Sequence, residues 1–176
     1  PTLGFQTRRS DKKMHPDPAA RAAFLAGMGA TVAALKGHPC VVYWTIFNEG
    51  WGQFDATAAY QKLRALDQSR FIDSTSGWFR GGETDVDSRH VYFGPWRLKA
   101  GAKPLVLTEF GGLTLAMEGH LQCPGRSYGY GACKSPEELE RRVLALYEQR
   151  VLPLAEKGLC ADVYTQLSDV EEEVNG

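Results

Sequence analysis

The chain has 176 residues, and Lys plus Arg (20) nearly balance Asp plus Glu (21), leaving a formal net charge of -1. That balance supplies no general pull toward nucleic acid or an anionic membrane. Hydrophobic residues at 43% and charged residues at 23% fit a globular chain with a core and are too apolar for disorder.

No run of about 18 uninterrupted apolar residues occurs, so no membrane-spanning helix is expected. The start, PTLGFQTRRSDKKMHPDP, lacks the apolar centre of a signal peptide and an initiator Met, and is read as the beginning of an excised or processed piece. Residues 1–16 are polar and predicted irregular. A helix then opens with Asp17 as N-cap and Pro18 in its first turn. Phe24, Leu25, Met28, Val32 and Leu35 recur at helical spacing, and Gly37 and Pro39 end the helix. Residues 41–47, VVYWTIF, are apolar throughout and predict a parallel strand buried on both faces. A helix from Phe54 to Asp67 follows, with Tyr60, Leu63 and Leu66 on one side, and then a short strand Phe71–Asp73.

The polar loop STSGWFRGGETDVDS leads to a predicted strand around His90–Phe93. PLVLT, residues 104–108, is a buried strand, and Glu109 to Lys134 reads as one long loop. Ser135-Pro136-Glu137-Glu138 is a capping box opening a helix with Leu139, Val143 and Leu146, which Pro153 kinks or shortens. ADVYTQ, residues 161–166, is the last strand. Alternating strands and helices imply parallel pairing, and both a doubly wound sheet and a barrel fit the pattern. No GxGxxG or GxxxxGK[ST] follows a strand, so the dinucleotide-binding version lacks support.

Cys40 and Cys160 lie in or beside apolar runs and read as buried thiols. Cys123 and Cys133 flank a Gly-rich loop, PGRSYGYGA, and could bridge under oxidising conditions. No Cys/His set has metal-site spacing; the acidic run Asp169, Glu171, Glu172 and Glu173 reads as a solvated face. No metal or cofactor is expected.

The chemical signal sits at two strand ends. Asn48-Glu49 follows VVYWTIF, and Glu109 follows PLVLT. In a barrel, the C-terminal ends of the strands build the active site. Two facing carboxylates suit retaining glycoside hydrolysis, one protonating the leaving oxygen and the other attacking the anomeric carbon across about 5–5.5 Å. Trp51, Trp78 and Trp96 lie in polar, Gly-rich surroundings where an aromatic face can line a sugar pocket or pack in a core; Trp44, inside the strand, reads as core. His90 and Tyr92, two apart on one strand, point to one face and could hydrogen-bond a sugar or a carboxylate.

Together, GHPCVVYWTIFNEGWGQFD, FIDSTSGW, DVDSRHVYFGP, KPLVLTEFGG and ADVYTQLSDVEEEVNG resemble, in this order, the catalytic barrel of glycoside hydrolase family 2, the β-galactosidase and β-glucuronidase group. The resemblance implies an α/β fold, a partial (β/α)8 TIM barrel with strands four to eight in parallel pairing and strands one to three missing. Residues 17–176 would be the C-terminal part of that barrel. By the same mapping Glu49 is the general acid/base, Glu109 the nucleophile, and Asn48 a partner of the sugar 2-hydroxyl. His90, Tyr92 and Trp51 match pocket positions and Gln166 falls at the strand-eight pocket edge; Trp78 joins them as a substrate-binding candidate from its own polar, Gly-rich surroundings. Gln166 departs from the Trp that other members often carry there.

A full barrel needs about 250 residues, so this chain is expected to be feeble or inactive alone. Open edges at strands four and eight would call for self-association or the missing barrel half. The expected ligand is a β-glycoside or oligosaccharide, with β-galactoside the leading choice, and no nucleic acid or membrane. Two alternatives stand beside this reading. A carbohydrate-binding or assembly module would keep the aromatic platforms without depending on paired carboxylates. A cellulase-like barrel fits the DVEEEVNG tail less well.

Overall fold

A computed structural model describes residues 11–79 and 81–176. The predicted irregularity of residues 1–10 lies outside the described residues; within 11–16 the chain makes one 3-10 turn, Asp11–Lys13. The chain divides into two compact units, Pro1–Ser88 and Arg89–Gly176.

In the first unit, helix α1 (Pro18–Leu35) opens as expected. Asp17 Oδ1 accepts the Ala19 N–H at 2.9 Å, and Pro18 occupies the first turn, where its missing N–H has no helical partner to lose. Only part of its apolar stripe is buried. Val32 is fully enclosed with Trp44, Leu63 and Ile72, and Met28 packs against that cluster. Phe24 instead stacks on Phe47 (5.1 Å between centroids) and meets Phe54 edge-on. The lone charge in α1, Arg21, turns back to the carbonyls of Lys12, Met14 and His15. α1 is therefore long and apolar enough to cross a membrane by length and composition, a test that core helices of soluble proteins also pass. Arg21 and Thr31 interrupt its apolar run, as the sequence reading has it.

Strand β1 (Tyr43–Thr45), helix α2 (Ala56–Leu66) and strand β2 (Phe71–Asp73) form a parallel β-α-β unit, with Trp44 opposite Ile72. The ladder continues past the strands, through Ile46 N–H to the Asp73 carbonyl and Phe47 N–H to the Ser74 carbonyl. Burial on both faces of residues 41–47 is not observed. Trp44 and Phe47 are buried, but Val42 is 65% exposed and Thr45 is exposed. The reason is pairing: among the described residues β1 has one neighbour, β2.

Leading into the second unit, β3 (Asp87–Val91) forms one sheet with β4 (Leu105–Gly111) and β7 (Leu159–Thr165), in that order, with β4 parallel to β7. β3 begins earlier than predicted and ends before Phe93. β4 runs through Glu109 to Gly111, so Glu109 is a strand residue. The expected long loop carries two short parallel strands, β5 (Leu113–Thr114) and β6 (Gly131–Ala132). Helix α3 (Pro136–Leu146) is capped by Ser135 Oγ, which accepts the Glu138 N–H; Glu138 Oε2 accepts the Lys134 N–H. α3 passes into one π-turn, Tyr147–Val151, before the short α4 (Leu152–Ala155) holding Pro153. The proline supplies no N–H, and its neighbour Leu152 bonds five residues back to Tyr147. Leu105, Leu107, Phe110, Val151, Leu154 and Leu159 make the core, with Trp96, Tyr147 and Tyr164 edge-on to Phe110.

Among the described residues β7 is an edge strand, with Val163 56% exposed. The described strands thus form an incomplete, open parallel arrangement consistent with part of a (β/α)8 barrel. Cys160 lies on that edge and is exposed, as is Cys40 in the turn after α1, correcting both buried assignments. Cys123 and Cys133 are free thiols.

Candidate active site

The first unit presents a polar end at the C-terminal side of β1 and β2. After Phe47 the chain turns sharply, Asn48 pairing with Trp51 through the Trp51 N–H at 2.9 Å. Glu49, half-buried, sits in this turn with φ +52°, and its N–H donates to the Ser76 carbonyl at 2.9 Å. A left-handed backbone is uncommon at a non-glycine residue and costs free energy unless the surroundings impose it. Here the turn and the Ser76 anchor impose it. Trp51 and Trp78 are each 48% exposed, unlike Trp44, whose Nε1–H donates to Asp67 in the core.

Beneath this end lies a buried polar strip, Asp73 to Ser76. Tyr43 O–H donates to Asp73 Oδ2 at 3.0 Å. Burial, then the Asp73 charge, pushes the Tyr43 hydroxyl well above the ordinary tyrosine range; burial also raises the Asp73 carboxyl. The Asp67 carboxylate is held well below its ordinary range by Ser69, then Trp44.

The second unit gathers side chains around Glu109. Tyr92 O–H donates to Glu109 Oε2 at 2.6 Å and lies 3.1 Å from Thr165 Oγ1. His90 Nδ1, its side chain fully buried, is 3.2 Å from the same Oε2. His90 and Tyr92 therefore share a face of the chain and converge on one carboxylate oxygen. The Tyr92 hydroxyl is pushed far above the ordinary range, first by burial and then by Glu109. Gln166 follows Thr165 across a cis peptide bond and faces the chain's tail: its side chain donates to Asn175 Oδ1 at 2.7 Å. Trp96 packs edge-on to Phe110 and also lines a cavity of about 270 Å³ with Tyr92, Tyr130 and Arg142.

Two participants escaped the sequence reading. Thr165 carries no motif signal. Tyr130 could have been suspected only from the Gly-rich loop around it. The acidic run is also more than a solvated face: Tyr128 N–H donates to the Glu172 carbonyl at 2.6 Å, and Val174 N–H returns to Tyr128.

A parallel α/β chain with carboxylates at strand ends is what comparison with known proteins meets. The family described as "Glycosyl hydrolases family 2, TIM barrel domain" matches residues 2–173. The chain belongs to glycosyl hydrolase family 2. Similar curated proteins include the β-galactosidases of Klebsiella pneumoniae and of Klebsiella pneumoniae strain 342, each 31% identical over 74 residues. That stretch covers 42% of this chain and 7% of each relative. This family 2 domain thus spans a small part of those proteins. Its membership makes it a hydrolase fold for carbohydrate, consistent with substrate binding or with self-association of an open sheet.

Proposed function

We propose that this domain supplies both catalytic carboxylates of a retaining β-glycosidase acting on β-galactosides. Glu109, as carboxylate, attacks the anomeric carbon while Glu49, as acid, gives its proton to the departing oxygen. Water then attacks the glycosyl ester, giving a proton to Glu49 and releasing Glu109. The mechanism requires the two carboxyl groups to face one anomeric carbon across about 5–5.5 Å. Asn48 holds the 2-hydroxyl, Trp51 and Trp78 offer faces to the sugar ring, and Gln166 lies at the pocket edge. Residues 17–176 act as the C-terminal part of a barrel, and the remaining strands or a second copy cover β1 and β7. The chain alone is feeble.

The observation that carries this reading is the convergence of Tyr92 and His90 on Glu109 Oε2 in the C-terminal half of β4. A half-buried strand carboxylate held by an O–H donor is aimed, and a nucleophile must be aimed. The left-handed Glu49 adds support, because such strain clusters at active sites. The test is trapping with 2,4-dinitrophenyl 2-deoxy-2-fluoro-β-D-galactoside, on this chain and on a longer chain containing it, followed by peptide mapping. A glycosyl ester on Glu109 is expected. An adduct on another residue, or turnover without an adduct, would overturn the assignment.

A further inference from the structure

The Gly-rich loop between Cys123 and Cys133 has no part in the two-glutamate reading, yet it is built against the Glu109 strand. The Tyr130 ring lies flat on the Tyr92 ring, with centroids 3.6 Å apart and planes 12° apart. Tyr130 N–H donates to the Gly112 carbonyl at 2.8 Å. The next two residues pair as β6 with β5, and Cys133 N–H closes on the Thr114 carbonyl at 2.7 Å. On its other side Tyr128 is bonded to the tail at Glu172 and Val174. Phe93 and Tyr128 meet Tyr130 edge-on. The ring is therefore fixed from both sides.

The glycine pair of the TEFGG motif explains how the ring reaches its place. Gly112 has φ +62°, and a Cβ there would run into the Tyr130 ring; Gly111, φ +91°, leaves the same room for Tyr164. An alanine at 112 would meet both obstacles, backbone strain and a ring clash.

We propose that Tyr130 is a positioning residue: its ring, seated over Gly112, holds Tyr92 so that the Tyr92 hydroxyl stays on Glu109 Oε2. A flat stack fixes the plane of the Tyr92 ring and hence the direction of its O–H, while shielding that bond from water. The inference rests on the reading of Glu109 as nucleophile for its catalytic meaning, but the ring contact stands without it. Among the described residues, the polar and charged groups bearing on Tyr92 include Glu109, Thr165 and the Tyr130 hydroxyl, with His90 on the same carboxylate and Arg142 and Arg150 lining the adjoining cavity.

The test follows the Tyr92 hydroxyl proton by NMR at neutral pH in the full chain, assigned by its loss in Tyr92→Phe. A slowly exchanging proton is expected in the wild type and in Tyr130→Phe, which keeps the flat ring. In Tyr130→Leu, which keeps bulk but no plane, exchange should quicken roughly two- to tenfold, the scale of one aromatic pair. Wild-type exchange in Tyr130→Leu, loss of the signal in Tyr130→Phe, or no slow proton in the wild type would each overturn the proposal. Should Tyr130→Leu fail to fold, Tyr130→His, a smaller flat ring, must exchange faster than Tyr130→Phe; equal rates overturn it. A merely structural role would lower stability without moving this proton. Fluoroglycoside trapping on the same samples separates the two ideas. No ester on wild-type Glu109, in this chain and in the longer chain containing it, sinks the nucleophile reading and leaves the proton result to judge Tyr130. Where the ester forms, trapping by Tyr130→Leu should slow by the same factor, and an unchanged rate counts against it.

Discussion

Glu49 and Glu109 are the same residue type at the ends of two parallel strands, and they are held in opposite ways. Glu109 lies inside β4, where the pairing with β7 shifts register between Leu107 and Phe110, and its carboxylate is gripped by His90 of β3 and by Tyr92 just after that strand. Glu49 has left its strand, and what fixes it is backbone: a left-handed φ, a tight Asn48–Trp51 turn and an amide anchored on Ser76. A carboxylate held by its oxygens is fixed in angle and suits in-line attack. One held through its main chain has the point at which its side chain leaves the strand end set by the turn. A set starting point suits a group which must carry a proton one way and then the other.

The largest expected effect tests that division directly. Glu109→Gln should reduce hydrolysis below detection with every leaving group, because no nucleophile remains. Glu49→Gln should lose about 10²–10⁴-fold with alkyl leaving groups and far less with dinitrophenolate, which departs without protonation. Steady-state rates across a leaving-group series provide the check. If the two variants show the same leaving-group dependence, the roles assigned to the two residues are wrong.

The next effect concerns the cores behind the two ends. Phe110 is fully buried with three rings around it, and Phe47 is 2% exposed against Phe24 and Phe54. Truncation of either to Ala should cost about 3–5 kcal/mol. Hydrogen exchange read by peptide should then localise the loss: Phe110→Ala in residues 89–176, Phe47→Ala in residues 11–88. Equal loss across both would mean that the two compact units unfold as one.

How much of this was legible follows from the range of the forces involved. The β1 and β4 runs and the Asp17 and Ser135 caps were readable because each is a local pattern of a few residues. β5 and β6 were not, since two residues each carry no periodicity. The Tyr130 seat joins positions 92, 112 and 130, and no window sees all three. Cys160 was misread because apolar neighbours signal burial in a central strand, whereas β7 is an edge. Glu109 was placed after its strand because a charged residue ordinarily ends one; here Tyr92 and His90 make its place inside the strand tolerable.

Alkaline pH offers a gentler comparison. Tyr43 donates to Asp73 in the first unit and Tyr92 to Glu109 in the second, and both hydroxyls are raised by burial and then by their carboxylates. A raised folded value means the native state keeps a proton that the unfolded chain releases. The stabilisation is therefore complete below about pH 10, the unfolded tyrosine value, and is lost as pH rises above it. Urea unfolding between pH 8 and 11 should show the decline, and Tyr43→Phe and Tyr92→Phe should each flatten it. A slope unchanged in either variant would show that its hydroxyl does not carry the linkage.

The smallest effect lies at the helix starts. Asp17 makes one exposed cap bond, to Ala19. Ser135 caps Glu138, whose own carboxylate returns to the Lys134 N–H, so losing Ser135 loosens two bonds together. Within the usual cost of about 0.5–2 kcal/mol, Ser135→Ala should fall near the top and Asp17→Ala near the bottom. The difference matters beyond α3, because Lys134 and Cys133 close the far side of the loop that carries Tyr130. If chemical denaturation shows Ser135→Ala to be the milder change, the loop is held by β5–β6 pairing and the tail, and the capping box contributes little to seating the ring.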